Sequence, residues 1–376
     1  MRLISNFFSQ IDWVLLLATL PIVGAGLITM SSFSGDNYFL SHQLIWIILG
    51  LCVFFVASNI DWRFLRRSSI VASLYVAVLF LLLSLFVFGT IVKGSQSWFS
   101  FGLFAIQPVD LAKLVFVITM AKYFSRRHIE IAHYRHILVS GLYAFLLFLA
   151  VAAQPDFGSA MIVFLIWLGL VVVSGLSLKH LVIVLGSGIT TFALLWFFVF
   201  APYQKDRILT FVDPERDIRG AGYNAFQSMV AVGAGGLVGK GVGYGTQSRL
   251  EFLPEFQTDF IFAAFAEEWG FIGCLLLFSF MAVVIWRILS IAMSGSTNFE
   301  VFFGVGVAII FMSHFIVNVG MNIGLLPVTG VTLPFMSYGG SHLVAEFLAL
   351  GMLTGMSRYS RPAHADTSSQ ELLGPA

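Results

Sequence analysis

The sequence predicts an all-α polytopic membrane protein of about ten transmembrane helices, with a large extracytoplasmic loop between the seventh and the eighth. Three observations carry this reading. Of 376 residues, 59% are hydrophobic and 10% are charged, where a soluble domain carries about 25% charged residues. The apolar residues gather into runs close to the roughly 20 residues needed to cross a bilayer. Lys and Arg collect in alternate connections between those runs, as cytoplasmic loops do. So few charges cannot cover the water-facing surface of soluble domains, and so apolar a chain is not a disordered one. A net charge of +1 without a long basic run speaks against nucleic acid as a partner.

The runs fall near residues 12–31, 40–58, 69–88, 106–124, 137–153, 157–174, 179–200, 259–289, 299–320 and 339–357. The first follows Arg2, runs from Trp13 to Met30 without a small-residue cleavage pattern, and reads as a retained span. Runs five and six are separated only by Gln154-Pro155-Asp156, a tight re-entry point. The eighth run is long enough to tilt or to stand proud of the membrane. The connections after spans two, four, six and eight carry Arg63, Arg66, Arg67, Lys122, Arg126, Arg127, Arg135, Lys179 and Arg287, and the terminal segments add Arg2, Arg358 and Arg361. The short loops of the opposite face carry Lys93. Both termini are therefore expected in the cytoplasm. Residues 1–361 read as one transmembrane domain, 201–258 as its extracytoplasmic loop and 362–376 as a polar cytoplasmic tail. A loop that long in an economical chain is expected to be functional. Cys52 and Cys274 lie in separate apolar runs and read as packing residues.

Ionisable residues inside a membrane are costly and mark function or pairing. Asp110 and Lys113, three apart at the start of span four, read either as a structural ion pair or as a cation site for a phosphate. Asp156 reads best as the cap of the helix that begins at Phe157. In Leu253-Pro-Glu255-Phe-Gln-Thr-Asp259, followed by Glu267 and Glu268, a polar loop runs into an apolar helix at the outer boundary. Asp259 is a candidate helix cap there, and also a candidate base for a group arriving from the outer leaflet. The tract Gly233–Gly245 lacks the residues of a P-loop, with Ala234 and Gly241 in the wrong places, so no nucleotide is expected. It reads as close-packed backbone or as a bed of N–H groups which, with Lys240, cradles a phosphate or a sugar. From Asn318 to Ser341, Gly and Pro interrupt a helix at membrane depth, which implies backbone lining a wet cavity. His314 reads as an ordinary core residue, and Glu346 suggests no particular role.

Gln107-Pro-Val-Asp110-Leu-Ala-Lys113, Gln154-Pro-Asp156-Phe-Gly, Asp213-Pro-Glu-Arg216-Asp217, Gly239-Lys240-Gly241-Val-Gly243, Leu253-Pro-Glu255 with Thr258-Asp259, Glu267-Glu268, and Leu326-Pro-Val-Thr-Gly330 with Ser337-Tyr-Gly-Gly-Ser341 resemble, in order and spacing over about residues 10–360, the SEDS family (shape, elongation, division and sporulation). Gly245-Thr-Gln-Ser248 and Gly320-Met321 look more like its RodA branch than its FtsW branch. The resemblance implies a multi-pass protein of the bacterial inner membrane. It implies a peptidoglycan glycosyltransferase that polymerises lipid II on the outer face for elongation and cell shape, with a class B penicillin-binding protein as transpeptidase partner. The family's essential aspartate falls on Asp259 and its charged pair on Asp110 and Lys113. Lys240, Glu255 and Ser341 are further expected substrate contacts. Asp110 stands where Glu is common, Gln257 where His is common, and Asn224 where Gln or His is common.

Lipid II carries its sugar α-linked to pyrophosphate and the glycan is β-linked, so the transfer inverts once. Such a site wants one carboxylate as base and cations on the leaving group, in contrast to the carboxylate pair of an inverting hydrolase. Asp259 is expected to take the acceptor 4-hydroxyl proton. Lys113, Lys240 or an Arg of the outer loop, with a divalent cation (Mg or Mn) as a further aid, is expected to steady the pyrophosphate. The rival readings are a flippase for lipid-linked cell-wall precursors and a scaffold that activates a partner synthase. A flippase needs polar groups along a whole transbilayer path, whereas the ionisable groups here gather towards the outer half.

Overall fold

The computed structural model describes residues 11–33, 38–92, 95–100, 102, 104–125, 134–175, 178–198, 205–206, 209–211, 213, 220–250, 252–253 and 255–360. Among the described residues, ten long helices coincide with the ten apolar runs. They are α1 Trp13–Phe33, α2 Tyr38–Asn59, α3 Ser68–Phe88, α4 Pro108–Ser125, α5 Tyr134–Ala152, α6 Phe157–Val173, α7 Leu178–Phe198, α10 Ile261–Met293, α11 Asn298–Asn322 and α12 Gly340–Ser360. Among the described residues between α7 and α10 lie the shorter helices α8 Ala221–Ala234 and α9 Thr246–Arg249. By length and composition α1, α2, α3, α10 and α11 suffice to cross a membrane. α4 falls outside that group because it carries Asp110, Lys113 and Lys122. The protein is a helical, polytopic membrane protein.

The all-α expectation needs one amendment. Between α3 and α4 the chain forms three short antiparallel strands, β1 Thr90–Val92, β2 Ser95–Ser100 and β3 Ala105–Ile106, in the order β1-β2-β3. Their β-branched and aromatic residues suit a pleated surface, but runs of two to six residues leave no periodic signal beside 20-residue spans. The sheet is tied to the bundle where Ser95 Oγ donates to the Gln154 carbonyl (2.8 Å), while Gln154 Nε2 donates to the Leu82 carbonyl (2.8 Å).

α4 and α11 sit at the centre. α4 packs against α3, α11, α6 and α12, and nearly all its residues are buried. Small residues let the backbones approach, as expected where lipid offers no hydrophobic drive between helices. A Cβ at Gly306 of α11 would meet Val117 of α4 at 2.5 Å, and one at Gly351 of α12 would meet the Phe54 carbonyl of α2 at 2.7 Å. At the end of the bundle expected in the cytoplasm, Arg287 of α10 pairs with Asp12 (2.7 Å) and Arg66 pairs with Glu300 of α11 (2.6 Å). In the connection after α2, the Arg63 guanidinium hydrogen-bonds the Asp61 carboxylate and holds its pKa below the ordinary value.

The glycine tract is fitted into a break in α10. Gly270 has φ 65° and ψ −166°, which interrupts the helical hydrogen bonds. The amides of Phe271 and Ile272 donate instead to the carbonyls of Gly236 and Leu237 (2.9 and 3.1 Å). In return the amides of Lys240 and Gly241 donate to the carbonyls of Glu267 and Glu268 (2.9 and 3.0 Å). Irregular backbone at a membrane boundary persists when another segment satisfies it.

Candidate active site

Asp259 lies one residue before Phe260, the cap of α10, and is half-buried. Its main chain is held as part of a run. The carbonyl of Gln257 accepts from the Tyr338 amide (2.8 Å), and that of Thr258 accepts from Ser337 Oγ (2.7 Å). The carbonyl of Asp259 accepts from Asn318 Nδ2 (3.0 Å) and Asn322 Nδ2 (3.1 Å). Ser337 is fixed in turn by the Leu333 amide, which donates to its Oγ (2.8 Å). Three successive carbonyls thus anchor the loop to α11 and to the broken segment 326–339. Gly330, exposed and with φ 75°, lies beside the Asp259 carboxylate; a Cβ there would sit 3.5 Å from Asp259 Oδ2. Glu255 is half-buried with φ 55°, and Thr258 Oγ1 donates to its carbonyl (3.3 Å) and its Oε2 (3.4 Å).

The other expected site residues are brought together, but around one another. Asp110 and Lys113 are buried, with Lys113 Nζ 3.0 Å from Asp110 Oδ1 and 3.2 Å from His314 Nε2. Ser341 Oγ donates to Asp110 Oδ2 (3.1 Å) and accepts from the Gln107 amide (3.1 Å). Gln107 Nε2 donates to Asp156 Oδ2 (3.0 Å), and Asp156 Oδ1 caps α6 by accepting from the Ser159 amide (3.0 Å). The ion-pair reading of Asp110 and Lys113 therefore describes their geometry better than an open phosphate site does. A phosphate reaching this ammonium would have to displace partners within a low-dielectric core.

Lys240 is likewise paired with a carboxylate. Its ammonium bonds Glu267 Oε1 (2.7 Å) and Thr246 Oγ1 (2.8 Å). The Glu267 carboxylate also accepts from the amides of Thr246 and Gln247, and Glu268 Oε1 accepts from the Gly243 amide (2.6 Å). The N–H groups of Lys240, Gly241, Gly243, Thr246 and Gln247 are thus turned to α10. The tract is close-packed backbone because a Cβ at Gly235 or Gly239 would meet a carbonyl oxygen of α10 at 2.0 Å.

His314 is a buried core residue with both ring nitrogens partnered. Its Nδ1 faces the Thr332 carbonyl (3.2 Å), and its ring stacks on that of His342, centroids 4.7 Å apart. His342 stands between two carboxylates, with Nδ1 3.1 Å from Asp110 Oδ1 and Nε2 3.0 Å from Glu346 Oε1; Glu346 Oε2 accepts from the Phe335 amide (3.0 Å). A cavity of about 20 Å³ lies among Asp110, Lys113, His314, His342 and Glu346, room for about one water. Sequence reading missed His342 and the clamping role of Asn318 and Asn322; the available signal was polar pairs at i, i+4 on otherwise apolar helices. Arg207, Arg216 and Arg219, with Glu215, Asp217 and Glu251, lie outside the described residues.

For a divalent cation, no group of three or more His, Cys, Asp or Glu among the described residues is arranged to hold one, so no step below runs through a metal.

The family model FTSW_RODA_SPOVE, described as Cell cycle protein, matches residues 5–362. The chain is 36% identical over 365 residues to Stage V sporulation protein E of Bacillus subtilis (strain 168), covering 93% of this chain and 98% of that one. It is 35% identical over 348 residues to peptidoglycan glycosyltransferase MrdB of Escherichia coli (strain K12), covering 93% of each. Among solved structures, a peptidoglycan synthase complex described as coordinating polymerization and crosslinking matches at a TM-score of 0.80 and 29% identity, over 93% of this chain and 98% of that chain. The rod shape determining protein RodA of Thermus thermophilus matches at 0.70 and 28%, over 93% and 97%. With the family model spanning nearly the whole chain and relatives above 30% identity along it, the chain belongs to the SEDS family of FtsW, RodA and SpoVE proteins.

Proposed function

We infer that this protein is a peptidoglycan glycosyltransferase that polymerises lipid II at the outer face of the bacterial inner membrane. The ten apolar runs and the distribution of Lys and Arg support ten crossings with both termini in the cytoplasm and the segment 201–258 outside, within a single domain of residues 1–361. The kinship with MrdB, named a peptidoglycan glycosyltransferase, supports the reaction class. The likeness to a synthase complex coordinating polymerization and crosslinking supports a crosslinking partner, for which the family resemblance indicates a class B penicillin-binding protein.

The observation that carries the mechanism is a half-exposed carboxylate on a rigid main chain. Asp259 is pinned through its carbonyl and faces the exposed Gly330. It takes the acceptor 4-hydroxyl proton as that oxygen attacks the anomeric carbon and the C–O bond to pyrophosphate breaks, with inversion. The leaving pyrophosphate carries its own negative charge and needs cations more than an acid. Because Lys113 and Lys240 have carboxylate partners, we assign that role to arginines of the outer segment. Asp110, Lys113 and Ser341 then act as the buried footing of the site, Lys240 as the brace of the glycine tract, and Glu255 as the edge of the acceptor path. A divalent cation, if bound beside the substrate phosphates, would add neutralisation of the leaving group's charge, and polymerisation with and without chelator tests it.

Purified protein incubated with lipid II, without a partner synthase, is expected to yield glycan strands resolved by gel after labelling. A flippase or a scaffold yields none, and the absence of polymer with active lipid II would overturn the assignment.

A further inference from the structure

We infer that Asn318 and Asn322 are positioning residues of the transfer reaction, which fix the Asp259 main chain and set its distance from the Gly330 segment. The inference rests on the reading of Asp259 as base.

Both asparagines are fully buried on α11, one turn apart on the same face. Each carboxamide has two N–H donors, and both are used in each case. Asn318 Nδ2 donates to the Asp259 carbonyl (3.0 Å) and to the Val331 carbonyl (2.8 Å). Asn322 Nδ2 donates to the Asp259 carbonyl (3.1 Å) and to the Asn318 carbonyl (2.8 Å). The Asp259 carbonyl precedes the α10 cap, where the helical ladder does not hold it.

The pattern is more specific than general packing. Asn318 joins the main chain of the base to that of Val331, next to Gly330, whose bare α-carbon faces the carboxylate. One side chain therefore ties together the two stretches of main chain that meet at Asp259. Asn322 adds a link outward, because Ser228 Oγ of α8 lies 3.0 Å from both the carbonyl and the Oδ1 of Asn322. The position of α8, in the segment between α7 and α10, is thereby coupled to that of the base. A displacement of about 1 Å at a reacting group costs on the order of 10²-fold in rate, so residues that never meet substrate still govern turnover.

The test is steady-state polymerisation of lipid II by Asn318→Ala and Asn322→Ala, with thermal unfolding in detergent as the check on folding. We expect kcat to fall about 10²-fold while KM stays within about twofold, since lost orientation acts on the chemical step and not on ground-state binding. A double-mutant cycle separates positioning from general disruption. In an Asp259→Ala background, Asn318→Ala is expected to lower the residual rate no further. Unchanged kcat in a folded variant, a rise in KM alone, or losses that multiply in the cycle would overturn the inference. Should the alanine variants fail to fold, Ser228→Ala carries the same cycle, with an expected few-fold loss of kcat that disappears in the Asp259→Ala background. If Asp259→Ala itself polymerises at the wild-type rate, the reading of Asp259 as base fails, a result distinct from failure of the positioning role.

Discussion

The cost of charge in a low-dielectric core decides how Asp110 and Lys113 behave. Asp110 and Lys113 show 4% and 5% side-chain exposure and lie 3.0 Å apart. Removing one member of a buried pair leaves the other uncompensated, at a cost of about 3–5 kcal/mol. Lys113→Met should therefore lower the unfolding temperature in detergent markedly, and the double variant Lys113→Met/Asp110→Asn, which removes the stranded charge but keeps an acceptor for Ser341, should recover part of the loss. A single variant as stable as the wild type would show that the pair is not structural. The i, i+3 spacing of this pair was visible in the sequence, as was the capping role of Asp156. Its other partners were not, because His314 and His342 lie about 200 residues further along and meet Asp110 and Lys113 only after the bundle assembles. Asp259 could be picked out from its place between a polar loop and an apolar helix, whereas its two amide clamps look in sequence like any polar residues on a mostly apolar helix.

At the scale of elements, α10 shows how a break is tolerated. The carbonyls of Gly236 and Leu237 accept from Phe271 and Ile272, so the interruption at Gly270 leaves these amides paired. Gly239 has φ 81°, and a Cβ there would lie 2.0 Å from the Glu268 carbonyl oxygen. Gly239→Ala should add positive-φ strain, about 1–3 kcal/mol, to a backbone clash that no side-chain rotation relieves. Gly175→Ala is the control, with φ 96° and nothing within 4 Å of its Cβ. Native-state hydrogen exchange should show lost protection at Phe271 and Ile272 for Gly239→Ala but not for Gly175→Ala; equal protection in both would contradict the docking of the tract. Glycine richness alone announced special backbone here, yet it could not distinguish a phosphate cradle from a helix splint, since both need bare Cα atoms. The small sheet over residues 90–106 was hidden for a different reason, its strands being shorter than any period that could be read.

For the whole molecule, hydropathy located the long helices of the described residues, and in α1, α2, α3, α10 and α11 length and apolarity together suffice to cross a bilayer. Which face each loop occupies rests on the distribution of Lys and Arg. In a variant lacking Cys52 and Cys274, a membrane-impermeant thiol reagent should label the exposed position Tyr244→Cys in intact spheroplasts. It should label Ser369→Cys only after permeabilisation. Labelling of Ser369→Cys in intact cells would reverse the orientation and place Asp259 on the wrong side for an outer-leaflet substrate.

The central claim is that the Asp259 carboxylate removes the acceptor proton. Replacement by asparagine keeps the side chain's shape and removes the base, whose contribution is on the order of 10²–10⁴ in rate. The most direct measurement is the rate of lipid II polymerisation by purified Asp259→Asn, with its unfolding temperature and partner binding recorded alongside, in the presence and absence of chelator. A folded, partner-competent protein whose glycan output without chelator falls by that factor is expected, the chelator arm reporting on the cation alone; wild-type output from the asparagine variant would contradict the assignment of the base.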